Sequence, residues 1–296
     1  MEINETTVLD DRGFIQISGD EAKEFLQNIV TNDINKISKN YTLFSSIFTP
    51  QGKYLYEFFI LKLDNEYLLE CEKEAAAEII KIFNFYKLRT KVNLIDVSHK
   101  YKGIVITQEK FKEISKIEPS RGASIIYKSE LIYCDPRTCE LGAKIVSRTE
   151  NIEDFIKNLN LKKIDNEKYY LKSFNLGIPQ LNLNKLKDKI FGIENNLDEL
   201  GGIDFKKGCY IGQENTSRIK LRKKLRRRIL AIQKVEGEIF ENDIIKYKDK
   251  EIGKIMIDKP YPFGLIQIID PDIKEFSNTV LICGNSKIKI LKPGWI

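Results

Sequence analysis

The chain has one histidine, one tryptophan and two methionines in 296 residues. With His99 alone, mechanisms that need two imidazoles are excluded. No nucleophile-elbow pattern accompanies it to suggest a serine–histidine–acid hydrolase. His99 follows Asp96-Val97-Ser98 and reads more readily as structural or surface than as catalytic. The five cysteines, Cys71, Cys134, Cys139, Cys209 and Cys283, are scattered and odd in number. Such a set is no disulfide framework, and a reducing compartment would keep them as thiols. Cys134 and Cys139 are the one close pair; no second pair or histidine cluster completes a tetrahedral zinc site. No stretch approaches the roughly 20 apolar residues that span a bilayer. Residues 1–5 are acidic and resemble neither a signal peptide nor an Arg-rich transit peptide. The expectation is a cytoplasmic chain, of a bacterial-type cytosol, with no membrane segment.

What is present is ordinary in amount and uneven in distribution. A hydrophobic fraction of 42% with 31% charged residues is that of a globular protein, and the length allows more than one domain. The net charge is +6, but Lys220, Arg222, Lys223, Lys224, Arg226, Arg227 and Arg228 place seven cations within nine positions. A run of this kind suits an anionic partner, whether nucleic acid, acidic protein or polyanionic ligand. A solvated linker or strand edge is the plainer alternative. Aromatics are not interleaved, so the stacking part of single-strand recognition is missing.

Residues 11–18 read as a turn into a short strand, after which Gly19-Asp20 opens a helix with Asp20 as its N-cap. Ala22, Phe25, Leu26, Ile29 and Val30 recur at helical spacing, and the helix ends near Thr31-Asn32-Asp33. Residues 54–63 and 66–71 are strand-like, as are 92–97 and 102–107. Ala76, Ile79, Ile80 and Phe83 mark a second helix, and Ile152, Phe155, Ile156 and Leu159 a third near 151–160. This alternation predicts an α+β body over residues 1–225, built of two subdomains. From Ile229 six short strand candidates follow, at 229–235, 244–247, 252–257, 264–269, 280–283 and 287–291. Turn residues separate them, which predicts a small antiparallel β-barrel over 226–296.

The chemistry concentrates in Lys207-Gly208-Cys209-Tyr210-Ile211-Gly212-Gln213-Glu214, with Arg218 four residues on. The two glycines suggest tight turns whose torsions other residues resist. Lys206 and Lys207 would favour the thiolate of Cys209, the form that attacks electrophiles and binds metals. Cys209 reads equally as an exposed, activated thiol or as a buried cysteine beside a structural turn.

This motif resembles the signature of the YgfZ-type folate-binding proteins, relatives of the glycine-cleavage T protein (aminomethyltransferase) that are tied to iron–sulfur cluster assembly and repair. The resemblance extends to Asn32-Asp33, Asp135-Pro136-Arg137, Gly177-Ile178-Pro179 and the stretch Glu194 to Leu197. Gly192 departs from it, standing where relatives have proline, which is expected to soften the local turn. Ser217 replaces the alanine before Arg218.

The resemblance implies a T-protein-like fold around a tetrahydrofolate site. A carboxylate would accept two hydrogen bonds from the pterin, with Glu194, Glu57 and Asp33 the candidates and Asn32 beside them. Glu57 either faces a pocket or is an edge-strand residue in solvent. Arg89, Arg218 and the basic run would meet the anionic folate tail, and Arg218 would otherwise pair with Glu214. Three functions follow. The first is a folate-binding factor that supports [4Fe–4S] cluster assembly or repair, and so indirectly tRNA modification. Cys209 would be its functional thiol, working with iron–sulfur assembly or client proteins. A cubane cluster takes four thiolates, so one motif cysteine implies at most a transient cluster shared with a partner and no stable metal site. The second is a folate-dependent one-carbon (aminomethyl-type) transferase, which needs no thiol. The third, ranked last, is an RNA-binding protein that uses the basic run.

Overall fold

The computed structural model describes residues 1–223, 225–277 and 279–296. The chain opens with β1 (Glu5–Leu9), β2 (Arg12–Ser18), α1 (Ala22–Ile29), β3 (Leu43–Phe48), β4 (Tyr54–Leu63) and β5 (Glu66–Glu72). Next come α2 (Ala76–Lys87), β6 (Asn93–Asp96), β7 (Tyr101–Ile106), α3 (Gln108–Ser115), β8 (Ser124–Tyr127) and β9 (Glu130–Cys134). After these lie β10 (Ala143–Arg148), α4 (Ile152–Asn158), β11 (Lys162–Lys163), α5 (Glu167–Asn175) and α6 (Gln213–Leu221). The last six strands are β12 (Arg227–Glu236), β13 (Ile244–Tyr247), β14 (Lys250–Ile257), β15 (Phe263–Gln267), β16 (Leu281–Cys283) and β17 (Ser286–Leu291).

Two compact units result: Met1–Ile47, Tyr56–Tyr169 and Leu200–Ile211 form the first, and Phe48–Leu55, Tyr170–Glu199 and Gly212–Ile296 the second. The second unit therefore gathers more chain than residues 226–296. Its extra segments are held by hydrogen bonds from Tyr54 N to Ile190 O (2.9 Å), Asn215 Nδ2 to Gln51 O (2.9 Å) and Trp295 Nε1 to Leu176 O (2.8 Å).

The first unit contains a six-stranded sheet, ordered β11-β1-β7-β10-β9-β8, and a five-stranded one, ordered β3-β4-β5-β2-β6. α3 and α4 cover the larger sheet, burying Phe111, Ile152, Phe155 and Ile156 against Ile104, Ile132 and Ile145. Burial of such side chains contributes roughly 1.5–3 kcal/mol each before chain entropy is counted. α1 begins one residue later than Asp20 would cap it. Glu21 is its N-cap, and the Glu21 carboxylate accepts from Lys91 N (2.6 Å) instead of closing the first turn.

In the second unit six antiparallel strands close into a barrel, in the order β12-β15-β14-β13-β16-β17, as the sequence predicts. Leu230, Ile232, Ile245, Ile252, Ile255, Ile266 and Phe276 fill it. A two-residue turn at Lys248-Asp249, with φ of +47° and +63°, joins β13 to β14. Among the described residues no helix is long and apolar enough to cross a membrane.

Candidate functional site

In the first unit the motif's lysine turns inward. Lys207 Nζ donates to the carbonyl oxygens of Gln27 (2.7 Å), Val30 (2.6 Å) and Asn32 (3.1 Å), which lie at and just beyond the end of α1. A cation at a helix C-terminus complements the dipole and satisfies carbonyls that lack a helical partner. The Tyr210 ring lies 5.2 Å from the same ammonium. Burial pushes Lys207 down to about 8, offset in part by the charges of Asp33 and Asp204. The expectation that Lys207 serves the Cys209 thiolate is thereby corrected, because its donors are engaged by backbone oxygens. Lys206 is exposed, and its backbone N–H donates to Asp204 Oδ1 (2.8 Å). Burial also raises Tyr210 above the usual phenol range.

Cys209 is the one exposed thiol of the five; Cys71, Cys134 and Cys283 are buried and Cys139 is half-buried. Burial drives Cys71, Cys134 and Cys283 each up to about 12 and raises Cys139 as well, which keeps these groups protonated and unreactive. Of the two readings of the motif cysteine, the structure selects the exposed one. Among the described residues no cluster of three or more His, Cys, Asp or Glu side chains is arranged to hold a metal ion. His99 is exposed, in the turn between β6 and β7.

The two motif glycines differ. A Cβ on Gly208 would meet nothing within 4 Å, so the strand of chain leading to Cys209 has open space beside it. The expected turn torsion is absent there. Gly212, in the second unit, has φ of +82°, and a Cβ on it would sit 2.5 Å from Thr49 O and 3.0 Å from Gly52 Cα. Only glycine fits that position, which forms the N-cap of α6. Gln213 and Glu214 begin that helix. Glu214 and Arg218, both exposed, form the i,i+4 ion pair at 3.5 Å, a contact worth a few tenths of a kcal/mol.

The candidate folate residues fall into two groups. Asn32 and Asp33, in the first unit, serve the fold. Asn32 Nδ2 donates to Phe44 O and Gly201 O, each at 2.8 Å, and Asn32 Oδ1 accepts from Asp33 N (2.9 Å). Asp33 Oδ1 accepts from Gln27 Nε2 and Asn35 N, each at 3.0 Å. Glu57 is half-buried on β4, within electrostatic reach of Arg137. β4 lies inside its sheet between β3 and β5, which removes the edge-strand alternative. Arg89 is exposed just after α2.

Glu194, in the second unit, is buried in the 3-10 turn Gly192–Asn195, where Oε2 accepts from Phe191 N (2.8 Å) and Oε1 from Arg227 Nε (2.9 Å). It lines a cleft of about 430 Å3 with Phe191, Ile219, Arg226, Arg227 and Gln267. Gly192 is needed there for space, not for softness. A Cβ would come 2.0 Å from the Phe48 ring. Much of the basic run is paired: Lys220 with Asp198, Arg227 with Glu194, and Arg228 with Glu199 (2.6 Å) and Asn196 Oδ1 (2.8 Å). Lys224 lies outside the described residues.

No protein-family model matches the chain. It is 30% identical over 238 residues to the iron-sulfur cluster assembly factor IBA57 homolog, mitochondrial, of Neurospora crassa, a match that takes in 76% of this chain and 52% of that protein. It is 26% identical over 282 residues to the protein of the same name from Dictyostelium discoideum, over 84% of this chain and 64% of the relative. The chain thus spans about half to two-thirds of the length of these relatives. The solved structure of glycine cleavage system aminomethyltransferase T from Bartonella henselae superposes with a TM-score of 0.75 at 12% identity, covering 99% of this chain and 86% of that one. The fold is that of aminomethyltransferase T. Its α+β class and terminal barrel are those expected from the sequence.

Within the T-protein fold the sequence reading missed a buried ionic cluster in the first unit. Glu70 Oε1 on β5 accepts from Lys144 Nζ on β10 (2.7 Å) and Arg12 Nε on β2 (2.9 Å), while Tyr133 donates to Glu70 Oε2. Burial alone would raise Glu70, but the charges of Lys144 and Arg12 outweigh it and hold the carboxyl at about 2. Beside it Arg137 grips Asp135 through two bonds, at 3.0 and 2.7 Å, and lies 4.8 Å from the Phe59 ring centroid. The sequence signal was there: Glu70 and Lys144 are charges inside apolar strands.

Proposed function

We propose that this protein binds tetrahydrofolate and supports the assembly or repair of [4Fe–4S] clusters, with Cys209 as its functional thiol. The observation that carries this reading is the exposure of Cys209 alone among five cysteines, next to the open space at Gly208. A missing side chain beside a reactive thiol lets a bulky group, such as a cluster edge or a partner's backbone, approach closely. Similarity to proteins named as iron-sulfur cluster assembly factors supports the same reading, as does the YgfZ-type motif. One thiol supplies one of the four ligands that a cubane needs, so the cluster is substrate, shared with a cluster-carrying partner and then released. Effects on tRNA modification are indirect, through cluster enzymes. Five unbridged thiols suit a reducing compartment such as a bacterial-type cytosol; the printed names of the relatives are mitochondrial.

The cleft around Glu194 fits a folate in its donor set. It offers the remaining lone pairs of the Glu194 carboxylate, which already accepts from Phe191 N and Arg227 Nε, for the pterin edge, and the exposed Arg226 for the anionic tail. Tetrahydrofolate would supply a one-carbon carrier there. Glu57 is the alternative carboxylate. The T-protein fold favours a second reading, aminomethyl-type transfer to folate, for which Cys209 would be dispensable. RNA binding loses support, because three cations of the basic run are paired with Glu194, Asp198 and Glu199.

The test is calorimetric titration of wild type and Cys209→Ala with tetrahydrofolate, beside the activity of a [4Fe–4S] enzyme in deletion cells carrying each. Equal folate affinity with lost enzyme activity is expected. Full activity with Cys209→Ala rejects the thiol role, and turnover of methylene-tetrahydrofolate would favour the transferase.

A further inference from the structure

The end of α2 presents an apolar surface that the fold does not use. Phe85 is 74% exposed and Leu88 86% exposed, and the Phe85 and Tyr86 rings pack edge to face at 5.2 Å. Leu88, the residue that ends α2, has φ of +49° and ψ of −113°, a conformation that a leucine adopts only against steric resistance. Adjoining it, a cleft of about 230 Å3 opens within the first unit, with Phe25, Ile29 and Ile211 as apolar lining and Glu24, Asn28 and Tyr86 among its polar groups. The Glu24 and Asn28 side chains make no hydrogen bond or ion pair among the described residues. Ile211 is two residues from Cys209, so the cleft and the exposed thiol share one short stretch of chain.

We infer that this face is where a cluster-carrying protein docks to reach Cys209, placing a lysine or arginine in the cleft and apolar side chains on Phe85 and Leu88. The inference rests on the cluster-handling role proposed for Cys209. An apolar lining beneath the unpaired Glu24 carboxylate fits the long aliphatic stem and charged head of a basic side chain. Glu21 and Glu24 line the cleft, and no cation does, in a chain whose net charge is +6. Lys87 and Arg89 flank Leu88 in sequence, so the negative charge is confined to the cleft lining, where it favours a basic side chain. A second copy that presented the same cleft would bring the same carboxylates and no cation from that lining. Exposed aromatic and aliphatic side chains beside a charged cleft have the composition of an interface hot spot.

Leu88→Asp, Phe85→Asp and Glu24→Lys, all at exposed positions, test the face in the full chain beside wild type and Cys209→Ala. The readouts are melting temperature, the rate of Cys209 alkylation by iodoacetamide, and the activity of a [4Fe–4S] enzyme in deletion cells. The three surface variants should melt and alkylate as wild type does, yet lower the enzyme activity about tenfold, as loss of one hot spot would. Glu24→Asp should retain activity. Full complementation by Leu88→Asp and Glu24→Lys, with Cys209→Ala inactive, overturns the docking face and leaves the thiol reading standing. Full complementation by Cys209→Ala overturns both. A wild-type dimer that Leu88→Asp turns into a monomer assigns the face to a second copy and also overturns the proposal.

Discussion

The Lys207 ammonium lies 2.6 Å from the carbonyl oxygen of Val30, so the motif's lysine locks the segment that carries Cys209 to the end of α1. Val30 is the C-cap of that helix, and its carbonyl has no partner in the helical ladder. The lysine thus positions the thiol through the backbone, by fixing where residues 207–211 leave the helix end.

Lys207→Met should therefore be costly to the fold. It strands three carbonyl oxygens in a buried place, which corresponds to about 1–3 kcal/mol. Denaturant unfolding would measure it, and a midpoint equal to wild type would show that the clamp contributes nothing. Iodoacetamide modification of Cys209 should persist in the variant, because the ammonium is engaged by carbonyls and not by the sulfur.

Acid should act through Glu70. Its folded-state value of about 2 lies below the ordinary glutamate value. The carboxylate therefore contributes stability above about pH 4.3 that is lost as pH falls toward 2, about 3 kcal/mol in all. Glu70→Gln leaves Arg12 and Lys144 as buried charges without their carboxylate and should destabilise by about 3–5 kcal/mol at neutral pH. The gap between wild type and variant should narrow between pH 4.3 and pH 2. Parallel stability curves across that range would reject the assignment.

The two motif glycines should separate under substitution to alanine. Gly212→Ala places a Cβ 2.5 Å from Thr49 O at a positive φ, and should destabilise by more than the roughly 1–2 kcal/mol of a left-handed residue. Gly208→Ala meets open space and should melt with wild type. If the space serves a cluster or a partner, Gly208→Ala should still lower the activity of cluster enzymes in cells. Equal melting of both variants would contradict the geometry.

Thiol counting gives a direct check on burial. Native protein should react quickly with a thiol reagent at one site, Cys209, and more slowly at half-buried Cys139. Cys71, Cys134 and Cys283 should become reactive only on unfolding. Fast native labelling of Cys71 would mean that the β2–β5 pairing opens readily.

The barrel was legible because its strands obey local rules. Aliphatic runs on β12 and β14 and alternating aliphatics on β17 are separated by turn residues, and the strands fill one small core. The amphipathic helices α1, α2 and α4 were legible for the same reason, at period 3.6. β8, β9 and β10 were harder to read. Their strands carry Glu130 and Lys144 inward, and the Lys128-Ser129 turn, with φ of +48° and +68°, contains no glycine or asparagine to mark it. Cys209 stood out in the sequence through its motif, but its exposure did not, because eight residues of motif fit a buried turn equally well.

The sequence by itself determined the α+β class, the terminal barrel and the one motif on which a thiol function can rest, because these depend on periodicity and spacing along the chain. Tertiary structure alone decided what each charged group does. Lys207 meets carbonyls 175 to 180 residues away in sequence, and Lys144 meets Glu70 across 74. Electrostatic partners are set by distance in space, which falls off with separation in ångströms and is blind to separation in residues.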